Sequence, residues 1–270
     1  MSGAQDSDGQ NGGRVKVPGK DTTISGETYQ SLRAGILSGE IGPGTKVRTQ
    51  NLSNRFDVSL GAVREALSQL MAEGLVIAEA HRGYTVAPLS VEDLRDLTRV
   101  RTEIETLCLN WSIEAGKLEW ESEVIAAAHR LTKTLRTDDR SAASPQWIAA
   151  HDAYHSALVS ACGSPRLLQI RKQLYDLSER YRKMESALVP RDRNPNEEHK
   201  RIAEAAVERD IPLAIRLMRA HIELTTENIV KAMEKRSSKA LRGAAAAAPR
   251  PSSRPGRLVK SPKRVAVAAR

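Results

Sequence analysis

Cysteine, aromatic rings and long apolar runs are all scarce in this 270-residue chain, and each scarcity removes a class of protein. Two cysteines, Cys108 and Cys162, do not make a disulfide-stapled scaffold, and a chain of this length has room for about two ordinary cores without one. No segment reaches the ~18 consecutive apolar residues of a membrane helix. The opening MSGAQDSDGQNGGRVKVPGK lacks the apolar stretch of a secretory signal. A reducing, cytoplasmic location is therefore expected, with no membrane partner and with both cysteines serving as small buried hydrophobes.

Acid is missing altogether from the C-terminal segment, where Lys235 to Arg270 hold 11 basic residues and no Asp or Glu. Subtracting these 11 charges from the net +9 leaves −2 for residues 1–234, so the pI near 9.7 belongs to the tail rather than the body. Residues 1–24 and 236–270 are short of large apolar side chains, and the second stretch is rich in Ala, Pro, Ser, Arg and Lys, so both are predicted disordered. Between them the pattern is three helices, a short hairpin ending near Val86, and then helical periodicity alone as far as Lys235. This divides the body near Pro88 into one domain over 25–89 and a second over 90–235.

In the first domain, Tyr29, Leu32, Ile36 and Leu37 recur at helical spacing over Thr28–Glu40, and Gly39, Gly42, Pro43 and Gly44 stop that helix. A second helix is predicted from Thr49, whose hydroxyl is placed to cap it, with Leu52 and Phe56 turned inward before Asp57. Ser59 caps a third, whose Val63, Ala66, Leu67, Leu70 and Met71 form one apolar stripe up to Gly74. Leu75 and Ile77, then Tyr84 and Val86, alternate around a His81-Arg82-Gly83 turn, which reads as a hairpin. A helix-turn-helix followed at once by a hairpin is a winged helix, and its third helix enters the DNA major groove by its N-terminal end.

The segments SGEIGPGTKV, LSNRFDVSLGAVREALSQLMAEGLV and HRGYTV, lying between Ser38 and Val86, resemble the DNA-binding domain of the GntR family of bacterial transcription regulators. The third helix then places Ser59, Leu60, Gly61, Ala62 and Arg64 near DNA, where free amides favour phosphate and the Arg64 guanidinium can grip guanine or phosphate. The resemblance assigns DNA contact to that arginine, against the plainer reading of a surface arginine paired with a nearby acid. Leu60 and Ala62 stand where the family usually has Arg and Pro, so one cationic contact is lost. Arg48, and Arg82 with Gly83 at the wing tip, are further candidates for phosphate or minor-groove contact. Residues 25–89 balance six basic against six acidic side chains, which argues for two heads on two half-sites, hence a homodimer on a pseudo-palindromic operator in double-stranded DNA.

In the second domain a cap at Ser90 precedes Leu94, Leu97, Ile104, Leu107, Cys108 and Trp111 at helical intervals. Helices over Leu118–Arg136, Pro145–Ala161, Pro165–Leu188, Pro195–Arg209 and Ile211–Lys235 complete an antiparallel all-α bundle of about six, so the fold class is mainly α. Four histidines fall on three of these helices. His151 and His155, in HDAYH, share one face at i and i+4; His199 in NEEHKRI and His221 in MRAHIEL sit among apolar residues. One buried histidine is usually a hydrogen-bonded core residue, whereas imidazoles converging from separate helices suit a divalent ion such as Zn²⁺ or Ni²⁺. His81 and His129 are assigned to solvent, and Glu197 and Glu198 to a solvated helix start.

Residues 92–234 resemble the FCD ligand-binding domain of the FadR-like branch of that family, through Val100-Arg101 with Ile104-Glu105, AYHSAL, EEHKRIAEAAVERD and LMRAHI. The resemblance implies a metal held inside the bundle by an Asp-x-x-x-His pair and two later histidines. Here the first of those positions is His151 and the acid is displaced to Asp152, so either His151 completes a four-histidine site or Asp152 binds with His155, the first being favoured. Arg101 is the candidate clamp for an effector carboxylate, against a structural pair with Glu105.

The chain therefore reads as a nucleoid-associated transcription regulator, more often a repressor in such families, whose operator affinity follows a small carboxylate bound near a divalent metal. A metalloenzyme is the weaker reading, because no di-iron Glu-x-x-His pairs and no placed general base are seen. A nucleoid-type binder driven by the basic tail is the other.

Overall fold

A computed structural model describes residues 24–79, 83–134, 143–184 and 193–247. The first domain begins with α1 (Ile24–Ser38), which buries Leu32 and Ile36, and continues through β1 (Lys46–Val47) into α2 (Thr49–Phe56) and α3 (Leu60–Ala72). Thr49 does not cap α2: Arg48 takes the N-cap position without a side-chain bond, and Thr49 is already the first helical residue. Asp57 closes α2 in the left-handed region at φ 52°, and Ser59 then caps α3 by accepting from the Ala62 amide at 3.2 Å. That tight turn sets the angle of the helix-turn-helix.

After Gly74, at φ 72°, the chain forms β2 (Val76–Glu79) and β3 (Gly83–Val86). The sheet has three strands rather than the two of a simple hairpin, in the order β1-β3-β2 and all antiparallel, with Val47 opposite Tyr84 and Ile77 opposite Thr85. Leu75 and Val76 both turn into the core, so the alternation runs one residue out of step with the sequence reading and Ile77 faces outward at 42% exposure. Val63, Leu67 and Leu70 from α3 meet Leu32, Ile36, Leu52, Leu75, Val76 and Val86 in one cluster. Met71, counted in the α3 stripe from the sequence, lies at its edge and is 39% exposed.

The second domain contains α4 (Val91–Ala115), α5 (Leu118–Lys133), α6 (Pro145–Val159), α7 (Pro165–Met184), α8 (Pro195–Val207) and α9 (Ile211–Ala247). Ser90, Ser144 and Asn194 cap α4, α6 and α8 through their side chains, and proline occupies the first turn of α6 and α8. Helix α9 continues past Lys235 to Ala247, because the segment RSSKALRGAAAA is alanine-rich and meets no proline before Pro249. The main core gathers Cys108, Leu109 and Ile113 of α4 with Trp120, Val124, Tyr154, Leu158, Ile202, Met218 and Ile222. Trp120 ties α5 to α6 by donating from Nε1 to the Ala157 carbonyl at 3.0 Å. Leu107 and Trp111, counted with the apolar face of α4, are 38% and 39% exposed. No described helix is long and apolar enough to cross a membrane.

Candidate metal centre and nucleic-acid interface

One turn of α6 separates His151 from His155, and both rings point inward, their Nε2 atoms 3.2 Å apart. Trp147, one turn earlier, stacks on His151 at 4.8 Å and closes that side of the site. His199 comes from α8 just after its Asn194 cap, and the Tyr154 hydroxyl donates to the His199 carbonyl at 2.7 Å, pinning α8 against α6. His221 comes from α9. One ring nitrogen from each of the four histidines lies within 4.8 Å of the others, and all four residues are buried.

Burial first, and then the neighbouring imidazoles and arginines, hold His151, His155 and His199 well below the ordinary 6.5. His221 is also lowered, chiefly by burial, although the Glu198 carboxylate acts in the opposite sense. The rings are therefore neutral at pH 7, the state in which they ligate metal. Among the described residues, both nitrogens of His199 and Nδ1 of His155 find no hydrogen-bond partner. A buried imidazole nitrogen without a partner is costly, and an ion taking one nitrogen from each ring would satisfy one of the two on His199. The tetrahedral sites of Zn²⁺ place nitrogens about 3.3 Å apart for ~2.0 Å bonds. The 3.2 Å His151–His155 spacing already meets this, and one nitrogen from each of the four rings falls within 4.8 Å of the others. The donor set fits the ion.

Asp152, the alternative ligand, is not with this group: its side chain is 45% exposed and faces Lys172 at 4.0 Å. Turning one position along a helix rotates a side chain by about 100°, which carries Asp152 off the face shared by His151 and His155. Glu198 also departs from the sequence reading. It is half-buried and accepts from Arg193 Nε at Oε1 and from Arg193 Nη2 at Oε2, each at 2.7 Å, and His221 Nδ1 lies 2.7 Å from the same Oε2. Burial alone would raise its carboxyl, but the Arg193 and His221 hydrogen bonds prevail and bring it down to about 2.

Beside the histidines lies a cavity of about 60 Å³, also lined by Arg101, Glu179, Arg182 and Arg193. A single water needs roughly 10–15 Å³ by this measure, so the space takes an ion and a few further heavy atoms. Arg182 is held by Glu179 and Arg193 by Glu198. Arg101 is differently placed. It donates from Nη1 to Ser178 Oγ at 2.7 Å and lies over the Tyr175 ring at 5.0 Å, but its Nε has no hydrogen-bond partner among the described residues. Glu105, the alternative partner of Arg101, is 4.0 Å away and engaged at 2.9 Å by Arg171, which also donates to the His155 carbonyl. Arg171, Tyr175, Ser178, Glu179 and Arg182 were not singled out from the sequence, although their spacing on α7 is that of one helical face.

In the first domain Ser59, Leu60, Gly61 and Arg64 lie exposed at the N-terminal end of α3, and Arg48 is exposed before α2. Leu60 is 37% exposed. Gly83 is exposed at φ 89°. Arg82 and His81 lie outside the described residues, and His129 is exposed on α5.

Comparison with known proteins places this geometry. Residues 24–86 match the model of the gntR family of bacterial regulatory proteins, and residues 96–224 match the FCD domain. The HTH-type transcriptional regulator BphR of Paraburkholderia xenovorans is 38% identical over 201 residues, 73% of this chain and 81% of that one. The HTH-type transcriptional repressor GlaR of Escherichia coli K12 is 35% identical over 216 residues, 78% of this chain and 98% of that one. Among solved structures, McbR/YncC of E. coli aligns with a TM-score of 0.63 over 79% of this chain and 98% of that one, at 18% identity, a likeness of fold.

Proposed function

From the premise that the chain belongs to the GntR family of bacterial regulatory proteins, with an FCD domain behind its winged helix, we propose a repressor whose grip on DNA is set by a small carboxylate bound beside a divalent metal. The family makes it a DNA-binding transcription regulator and not an enzyme. The observation that carries the finer reading is the meeting of four neutral imidazoles in a cavity that Arg101 also lines.

His151, His155, His199 and His221 would hold the ion, with Zn²⁺ or Ni²⁺ suited to an all-nitrogen set. Bound there, the ion supplies an uncompensated positive charge, since four imidazoles contribute none. Arg101 orients a carboxylate with its planar fork. Trp147 and Ile222 exclude water from one side, which strengthens each of these charge contacts. On the DNA side, Arg64 reaches a base edge or phosphate, the exposed amides after Ser59 face the backbone, and Arg48, Arg82 and Gly83 add backbone or minor-groove contact. A homodimer would bring two such heads to a pseudo-palindromic operator. The repressor assignment follows that of the E. coli relative GlaR.

An effector changes operator affinity only by the difference in its own affinity for the DNA-competent and incompetent states. The test is metal analysis of the purified protein beside its His155→Ala/His221→Ala variant. Wild type should carry metal in stoichiometric amount and the variant none; stoichiometric metal in the variant would overturn the site.

A further inference from the structure

Helix α7 carries two different surfaces. On one face Tyr175 and Ser178 reach into the sensor: the Tyr175 hydroxyl is 3.1 Å from His151 Nδ1, and Ser178 Oγ accepts from Arg101, while Glu179 and Arg182 line the cavity. The opposite face holds the DNA-binding domain and its junction. Asp176 accepts from Arg33 of α1 at 2.6 Å, Leu177 packs against the winged-helix core and against the Leu94–Tyr181–Val230 cluster, Arg180 donates to the Ala87 carbonyl, and the Tyr181 hydroxyl bonds Asp93. Head contacts at positions 176 and 177 thus lie between sensor contacts at 175 and 178 on one rigid element.

Arg33 is the hinge point of that contact. Its Nε bonds Glu73, at the end of α3, at 2.7 Å and its Nη2 bonds Asp176, so one guanidinium clamps the recognition helix to α7 through two carboxylates. The side chains of Arg33, Glu73 and Asp176 are 22%, 14% and 10% exposed, dry enough for the bonds to be directional. Lys172 Nζ, at 2.5 Å from Asp176, offers the carboxylate a second partner. An alternative arrangement, with Asp176 turned to Lys172 alone and the head released, therefore leaves no buried carboxylate unpaired.

We infer that the Arg33–Asp176 contact is the coupling latch of this regulator: α7 carries occupancy of the histidine cavity to α3 through it. A carboxylate entering the cavity competes with Ser178 for Arg101, and an ion on His151 Nε2 polarises the ring whose Nδ1 meets the Tyr175 hydroxyl, so α7 feels either occupant and answers by moving as a rod. A movement that lengthens the Arg33–Asp176 bond passes the head from Arg33-held to Lys172-satisfied, which is a two-state element biased from both ends. Arg33 and Asp176 are positioning residues here; neither touches DNA or the ion.

The inference rests on the metal-sensor reading, and the experiment separates the two. Full-length protein is titrated with Zn²⁺ alone, its zinc affinity and its amide hydrogen exchange over α1 are measured, and its affinity is measured for a duplex recovered by the wild type from a randomised pool. In wild type, zinc should change both α1 exchange and duplex affinity, the latter within the ~5–150-fold range usual for coupled sites. Asp176→Asn should bind zinc as tightly and lose most of that response, Asp176→Glu should retain it, and Glu73→Gln, which alters only the bonds to Arg33 and Tyr29 within the head, should keep α1 exchange responsive. An Asp176→Asn protein that responds as wild type does, or a wild type that binds zinc with no change in the head, overturns the latch and leaves the sensor standing. A wild type that binds no zinc overturns the sensor and the latch together.

Discussion

Glu198 Oε2 stands 2.7 Å from His221 Nδ1, so the carboxylate settles which ring nitrogen of His221 is left for the cavity. With Nδ1 engaged, Nε2 faces the other three imidazoles, the arrangement by which a carboxylate behind a histidine raises its basicity and fixes its orientation.

Replacing Glu198 by Gln keeps the shape and removes the charge. Zinc affinity should fall about 10–100-fold, as for other carboxylates behind a ligating histidine. Competition against a chromophoric chelator measures it, and an unchanged affinity would show that Glu198 serves only its ion pair with Arg193.

The metal-free protein should lose stability in mild acid. The folded pKa values of the four histidines lie below 6.5, mainly through burial, so the unfolded chain binds more protons once the pH drops under that value. Stability present above about pH 6.5 is then lost as the pH falls, at up to about 1.4 kcal/mol per pH unit for each titrating ring. Thermal melts of chelator-treated protein between about pH 7.5 and about pH 5 check the sign, and a Tm that holds level across this window contradicts it.

Gly116 ends α4 directly against Trp120. A Cβ built there would meet Trp120 Cε3 at 2.3 Å and the Ser112 carbonyl at 2.7 Å. The indole is buried and tethered to Ala157, so it cannot swing aside. Gly116→Ala should cost about 1–3 kcal/mol by overpacking, read from denaturant unfolding; a variant within error of wild type would mean that the α4–α5 turn yields freely.

Arg64 is exposed on α3, and no ion pair to it occurs among the described residues, unlike the paired surface arginines of α4. Arg64→Ala should weaken binding to a selected duplex by about 1–3 kcal/mol if the side chain reads a base, with relaxed sequence preference at that position. A uniform loss across sequences with a shallower salt slope would instead assign it to phosphate.

Caps, prolines and periodicity made most elements legible, because each is a signal between residues three or four apart. Ser59, Ser90, Ser144 and Asn194 all cap through their side chains, and the helices that follow start where they allow. Thr49 shows the limit of that reasoning. A threonine before an apolar pattern looks like a cap, but the β1 strand pairs up to Val47 and leaves only Arg48 as the turn into α2. The third strand is illegible in the sequence for a related reason: two residues carry no detectable alternation, and β1 exists because β3 offers it a partner.

From residues alone came a winged helix ahead of a helical bundle and four histidines on three helices, since spacing and residue type are local properties that survive in a linear chain. Tertiary packing alone decided that Asp152 faces Lys172 while His151 joins the ring cluster, that Glu198 backs His221, and that Glu105 serves Arg171 while lying 4.0 Å from Arg101. Those pairings join residues up to 66 positions apart, on helices whose rotation and offset are set by how their apolar faces interlock, and no pattern along one helix contains that information.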